Sequence, residues 1–273
     1  MPEKTIGGGR RFAGSITPSL PGGQVVTVIV ATLNAVESFA EMIQSMRNQS
    51  YQNFELIVID GRSTDGTIEI LAEHDKDIDY WLSERDTGVY EAWNKGLAAA
   101  KGDYICFLGA DDRWAESCSL HELVRLTNGG ACDIVAARGA VVSKAGVLIR
   151  AVGEPWSKAR LNHRQIVAHP GMLFATRLFA IYGNFDTRYR VAGDYEWLMR
   201  LGSDVKGAFL DRVTVMIGAG GISERRLSRA LIETREIQKK HGNSSWIVRD
   251  IRLLVYASRI LVGRLLRWVK KRS

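Results

Sequence analysis

Residues 25–31 read Val-Val-Thr-Val-Ile-Val-Ala, an almost unbroken β-branched run closed by Thr32-Leu33-Asn34. β-branched side chains favour the extended backbone, and a run without polar alternation fits a strand buried on both faces. Such a strand needs a covering layer above and below, which restricts the chain to a layered α/β design. The pattern then recurs. Phe54-Glu55-Leu56-Ile57-Val58-Ile59 is closed by Asp60-Gly61, Asp79–Ser83 is a short third strand, and Asp103–Leu108 runs into Asp111-Asp112. Between these runs, Glu37–Asn48 spaces Phe39, Met42, Ile43 and Met46 at helical intervals. A second helix starts in Ser63-Thr64-Asp65-Gly66-Thr67 and runs to about Glu73, and a third covers Gly88–Ala100. Alternating strands and helices predict a doubly wound, mostly parallel, Rossmann-like sheet with right-handed crossovers. Its strand-ending loops then open on one edge, where such sheets bind ligands. Asn34, Asp60, Asp86 and Asp111 meet there, although they are distant in sequence.

Beyond Trp114 the pattern changes. Leu120–Leu126 reads as a helix. Asp133–Ala137, Ala140–Val142 and Val147-Leu148-Ile149 read as strands, and His169-Pro170-Gly171 precedes the apolar run Met172–Ala175. Gly193–Leu201 reads as a helix entered through Asp194, followed by strands at Val205–Phe209 and Val213–Ile217.

The ends of the chain differ from this body. Residues 1–24 hold six glycines and three prolines with no apolar core of a signal peptide, and read as a flexible leader. Residues 222–273 carry 14 of the 37 Lys and Arg but only 4 of the 30 Asp and Glu, a net of +10, whereas residues 1–221 net −3. A nucleic-acid enzyme would place its basic charge on the catalytic face, so the near-neutral body argues against nucleic acid as partner. Trp246–Lys271 reads as one helix whose basic residues, Arg249, Arg252, Arg259, Arg264, Arg267 and Lys270, fill less than half of the helical wheel. That amphipathic, basic pattern fits a helix lying on an anionic membrane surface, too charged to span it; packing on the domain is the alternative. The domain reading is therefore leader 1–24, catalytic body 25–221 and a basic C-terminal helical segment 222–273. Three cysteines without metal-ligand spacing fit a reducing, cytoplasmic location, and the basic helix implies a peripheral position at the inner face of the cell membrane.

The chemistry centres on Phe107-Leu108-Gly109-Ala110-Asp111-Asp112. Two adjacent carboxylates at a strand end repel one another unless a cation or proton intervenes. Mg²⁺ pairs one or two carboxylates with substrate phosphates, so the run suggests a metal–diphosphate site; a turn in which the Asp residues cap the next helix is the competing reading.

Four blocks decide between them: Thr27–Asn34, Glu55–Thr67, Ser83–Gly96 and Phe107–Asp112. In this order and spacing, the chain from about Val25 to Arg200 resembles the inverting nucleotide-sugar glycosyltransferases of family 2, of GT-A fold, and among them bacterial enzymes that build exopolysaccharide or lipid-linked glycans. The resemblance implies transfer of a sugar from a nucleotide-diphosphate donor to a glycan or lipid-linked acceptor, with Mg²⁺ or Mn²⁺ as cofactor. It places Thr32, Asn34, Asp60, Asp86 and Lys95 at the nucleotide, with Lys95 set to neutralise diphosphate. Gly109 stands where the family's Asp-x-Asp motif has its first Asp, which makes Asp111 the metal ligand and Asp112 a supporting, water-mediated candidate. Gly61 stands where many members carry a second Asp that resembles a uracil contact; its absence argues against a UDP donor and keeps GDP and dTDP open. Inversion needs a base to take the acceptor's proton; Ala192-Gly193-Asp194-Tyr195-Glu196 fits the family's late helix, with Asp194 as base and Glu196 as fallback. His169 is a candidate contact to acceptor or metal. A nucleotidyltransferase would also gather carboxylates around a metal, but Ala31-Thr32-Leu33-Asn34 is not a Gly-rich basic phosphate loop. A basic nucleic-acid-binding protein is the alternative outside enzymes.

Overall fold

The computed structural model describes residues 5–12 and 23–241. In chain order the elements are β1 (Ile6–Gly8), β2 (Val26–Thr32), α1 (Phe39–Arg47), β3 (Phe54–Asp60), α2 (Thr67–Glu73), β4 (Tyr80–Ser83), α3 (Val89–Ala99), β5 (Tyr104–Gly109) and β6 (Arg113–Trp114). They continue with α4 (Ser119–Arg125), β7 (Ile134–Val142), β8 (Leu148–Val152), α5 (Lys158–Leu161), β9 (Leu173–Ala175), α6 (Arg177–Tyr182), α7 (Gly193–Arg200), β10 (Gly207–Gly218), α8 (Ile222–Arg225) and α9 (Leu227–His241).

The sheet runs β1-β4-β3-β2-β5-β9-β7-β10-β6, with β8 paired to β7. Its heart is parallel: β2 lies between β3 and β5, and β4 follows β3, each in parallel register. The β-branched run explains this position, since Val28, Ile29 and Val30 are fully buried. Each such side chain contributes about 1.5–3 kcal/mol relative to exposure. Helix α3 packs on β2 and β3, and Gly96 allows the close approach. A Cβ there would stand 2.4 Å from Ile29 Cγ2.

The second half departs from the parallel pattern. Strand β9 is antiparallel to both β5 and β7, so it joins the parallel set β4-β3-β2-β5 to the β7–β10 pair, which is parallel again. Two pairs of short strands expected from the sequence are each one long strand. Arg138-Gly139 does not interrupt β7, and the polar Asp211-Arg212 step is absorbed in β10 by register shifts between Leu210 and Val215. Arg138 pairs with Asp211, which satisfies both charges at that irregularity.

Described residues from both terminal segments pack on the body, residues 5–12 among them. Strand β1 adds antiparallel to β4, Arg10 bonds Asp79 at 2.8 Å, and Arg11 pairs with Glu55, which is 1% exposed. Likewise α9, within the segment expected to stand apart as a basic appendage, packs on α7 and buries Glu233, Ile237 and Gln238. The amphipathic segment Trp246–Lys271 lies outside the described residues. Among those described, no helix is long and apolar enough to cross a membrane.

Candidate active site

The first two strand-ending loops are stitched together by short polar side chains. Asn34, in the left-handed region at φ 51°, accepts from Thr64 N at 2.9 Å and donates its own N–H to Ser63 Oγ at 2.7 Å. Asp65 accepts from Thr67 N and from Val36 N, both at 3.1 Å. Thr32 is buried, and its Oγ1 has no hydrogen-bond partner among the described residues.

Asp60 is engaged within the protein. It is fully buried, and its carboxylate accepts from Ser63 N at 2.9 Å, Ser63 Oγ at 2.5 Å and Ser83 Oγ at 2.6 Å. Those bonds bracket the loop and leave little of the group for a base. Asp86 is only half-buried and lies against the same loop. A Cβ built on Gly61 would come within 2.9 Å of its Oδ2, so the Asp86 carboxylate fills the space that a side chain at position 61 would need. Burial raises the Asp86 pKa, while the Gly88 amide, 2.9 Å from its Oδ1, and the Lys95 charge pull the other way.

Lys95 is turned to another task. Its ammonium lies 2.9 Å from Glu84, 3.3 Å from Glu91 and 3.1 Å from the Arg85 carbonyl. An ammonium has three donors, and in this arrangement all three hold the loop to α3.

The paired Asp residues divide sharply. Asp112 is 5% exposed, and its carboxylate accepts from Gly109 N at 2.7 Å and Gly218 N at 3.3 Å. Burial first, then the neighbouring Asp111 charge, push its pKa up to about 7. Asp112 therefore ties the loop to the end of β10, buried beside Asp111 rather than exposed like it. Asp111 is exposed and stands over two glycines; a Cβ on Gly109 would lie 2.8 Å from its Oδ1 and one on Gly218 2.5 Å from its Oδ2. Arg225 on α8 is close enough for its charge to act on Asp111. Among the described residues no three His, Cys, Asp or Glu side chains converge on a metal position. A single carboxylate at an open recess suits Mg²⁺ or Mn²⁺ completed by diphosphate oxygens and water, since such ions need few protein ligands.

Asp194 sits in the first turn of α7, half-buried. Its Oδ1 lies 3.2 Å from the Tyr90 hydroxyl and its Oδ2 accepts from Gln165 Nε2 at 3.1 Å. Tyr90 belongs to α3, the helix that leaves the Asp86 loop, so one side chain ties that loop's helix to Asp194. The fallback Glu196 is 1% exposed and faces away. It bonds Arg200 Nε at 3.0 Å, Lys240 Nζ at 3.3 Å and His241 Nε2 at 3.1 Å. It fastens α9 to α7 and is not available to an acceptor. His169 is buried in an aromatic stack, 5.0 Å from the Trp93 ring and 5.4 Å from Phe107 between centroids. Burial lowers its pKa, partly opposed by the Asp194 charge. Its Nε2 has no partner among the described residues.

Sequence reasoning missed Tyr90 and Gln165. Tyr90 lies in a block singled out for other reasons, two residues after Gly88; Gln165 carries no sequence signal.

Residues 27–186 match Glycosyl transferase family 2. A PGL/p-HBAD biosynthesis glycosyltransferase of Mycobacterium bovis (strain BCG / Pasteur 1173P2) is 27% identical over 260 residues, which cover 90% of this chain and 98% of the relative. S. aureus TarS 1–349, solved in complex with UDP-GlcNAc, superposes with a TM-score of 0.62 at 17% identity, covering 84% of this chain and 70% of that one. The mannosyltransferase PcManGT from Pyrobaculum calidifontis, in complex with GDP-Man and Mn²⁺, superposes with a TM-score of 0.63 at 18% identity, covering 94% and 80%. At such identities the structural likeness speaks for the shared GT-A fold, and the matched family for the activity. The chain belongs to Glycosyl transferase family 2 and is a glycosyltransferase.

Proposed function

We propose that this glycosyltransferase is metal-dependent and inverting, and moves a sugar from a nucleotide-diphosphate donor to a lipid-linked glycan acceptor in cell-surface polysaccharide synthesis. The observation that carries the reading is the placement of Asp194. It is half-buried at the start of α7 and oriented by Tyr90 and Gln165, beside the helix that leaves the Asp86 loop. A carboxylate so held can accept the acceptor hydroxyl's proton as that oxygen attacks the anomeric carbon from the face opposite the leaving diphosphate. Asp111 would hold Mg²⁺ or Mn²⁺, which supplies Lewis-acid stabilisation of the departing diphosphate. Thr32, Asn34 and Asp86 line the nucleotide end, and His169 packs beneath the site with Trp93. The donors seen with the structural neighbours, UDP-GlcNAc and GDP-Man, support a nucleotide-diphosphate sugar here and leave the base open. The basic segment 246–273 supports docking on an anionic cytoplasmic membrane face, where a lipid-linked acceptor resides.

A panel of UDP-, GDP- and dTDP-sugars with Mn²⁺, scored by thermal shift and by release of nucleoside diphosphate, tests the reading. One nucleotide class should raise the melting temperature by mass action, and Asp194→Asn should bind it normally while losing turnover. Wild-type turnover in Asp194→Asn would remove Asp194 as the base.

A further inference from the structure

Glu233 lies in the middle of α9 and is 4% exposed. Its carboxylate faces the loop that leads into α7. Oε2 accepts from Val191 N at 2.8 Å and Ala192 N at 2.9 Å, and Oε1 from Arg190 N at 2.9 Å. Arg229, one turn earlier on α9, bonds Oε1 at 2.8 Å. Successive backbone N–H groups aimed at one point form an anion-binding concavity, filled here by a carboxylate of the same chain. The loop is also gripped from the opposite side. The Tyr90 hydroxyl donates to the Val191 carbonyl at 2.8 Å, and the Arg190 guanidinium donates to the Thr87 carbonyl in the Asp86 loop. Asp194 follows two residues beyond Ala192.

We propose that Glu233 is a positioning residue for sugar transfer, fixing the Arg190–Ala192 backbone and through it the aim of the Asp194 carboxylate. The inference rests on the reading of Asp194 as base. A carboxylate serves the purpose because it is an acceptor only, with room for several donors on its two oxygens. A glutamine of the same shape turns an NH₂ group toward at least one of these amides and must give up that bond. Placement matters because an error of about 1 Å in a reacting group costs on the order of 10²-fold in rate.

The test compares Glu233→Gln, Asp194→Asn and the double variant in the full chain. Two measurements are made: amide hydrogen exchange over residues 190–192, and Mn²⁺-supported hydrolysis of the panel sugars, in which water takes the acceptor's place. In Glu233→Gln the three amides should exchange about tenfold faster or more while β5 keeps its protection. Its kcat should fall about tenfold or more, with the donor KM within about twofold of wild type. The double variant should be no slower than Asp194→Asn, because the two act on one step. Unchanged exchange, an unchanged kcat, a KM rise that accounts for the whole loss, or additive losses in the double variant would each overturn the proposal. Full turnover in Asp194→Asn overturns the base assignment instead, and the exchange data report on the Glu233 clamp separately. If Glu233→Gln does not fold, Glu233→Asp, which withdraws the charge by one methylene, is read by the same criteria.

Discussion

The Tyr90 hydroxyl stands 3.2 Å from Asp194 Oδ1 across 104 residues of sequence, and 2.8 Å from the Val191 carbonyl. One proton is thus shared between a carboxylate and the loop that delivers it. Tyr90→Phe keeps the ring and removes that bond, leaving a buried carbonyl short of a donor. The expected cost is about 1–3 kcal/mol of stability, read by urea denaturation, together with about a tenfold loss of kcat. Wild-type values in both measurements would show that the contact is idle.

The two adjacent Asp residues should separate cleanly by substitution. Asp111→Asn should keep its melting temperature and lose Mn²⁺-dependent turnover by about 10² or more, because among the described residues the one backbone amide its carboxylate engages is its own. Asp112→Ala should instead cost about 1–3 kcal/mol by stranding the amides of Gly109 and Gly218. Destabilisation by Asp111→Asn, with Asp112→Ala neutral, would reverse the assignment.

Arg11 neutralises Glu55, whose Oε1 also accepts from Thr27 Oγ1 at 2.5 Å and Lys101 N at 2.6 Å. Removing one partner of a buried ion pair strands the other charge. Arg11→Ala should therefore lower stability by about 3 kcal/mol, and adding Glu55→Gln should recover a large part of it. Equal stabilities for the single and double variants would contradict this account.

Acid should weaken the fold in two windows. Burial lowers the His169 pKa, with Asp194 opposing, and lowers that of His241, with Glu196 opposing. The unfolded chain then binds protons that the folded chain refuses, so this stability is full above about pH 6.5 and is lost as pH falls toward the folded values. Burial alone would raise the Glu233 pKa, but Arg229 and three backbone amides hold it below the usual range. Its share is lost only below about pH 4.5. The melting temperature should fall between about pH 7.5 and about pH 5.5, and less steeply in His169→Phe, which keeps a ring in the stack. A parallel fall in the variant would assign the loss to other groups.

The basic segment supplies a fifth test. The full chain should float with vesicles containing phosphatidylserine, less at high salt because such attraction is screened. A chain ending after His241 retains α9 and should stay with the soluble fraction at unchanged melting temperature. Equal flotation of the two forms would locate membrane contact elsewhere.

The parallel half of the sheet was legible because β2, β3 and β5 are buried on both faces and so written in uninterrupted apolar residues. The strand ends therefore fell within a residue or two of Asn34, Asp60 and Asp111. Side-chain commitments were not legible. Asp60 and Asp86 look alike in sequence, yet the serines at 63 and 83 engage the first and leave the second at the loop surface. Lys95 and Glu196 read as site residues because of their neighbours in the chain, whereas their partners, Glu84 and His241, come from other elements. The split of Asp111 from Asp112 was not legible either, because Asp112 is held by the backbone amides of Gly109 and Gly218, donors that any residue but proline supplies. The α9 clamp left no trace in local pattern, because it depends on a glutamate 41 to 43 residues downstream meeting three backbone amides.

Both ends of the sheet are closed by very short strands, β1 with three residues and β6 with two. A long bare edge offers unpaired N–H and C=O groups to any extended chain nearby. Here β1 occupies the open side of β4, anchored by Arg10, Arg11 and the bond from Gly9 N to Asp75. Trimming the N-terminus to the first long strand, a natural choice for making a compact fragment, would uncover that side of β4. The fragment should then self-associate by strand addition, and its solubility would report on residues 5–12, which lie away from the chemistry.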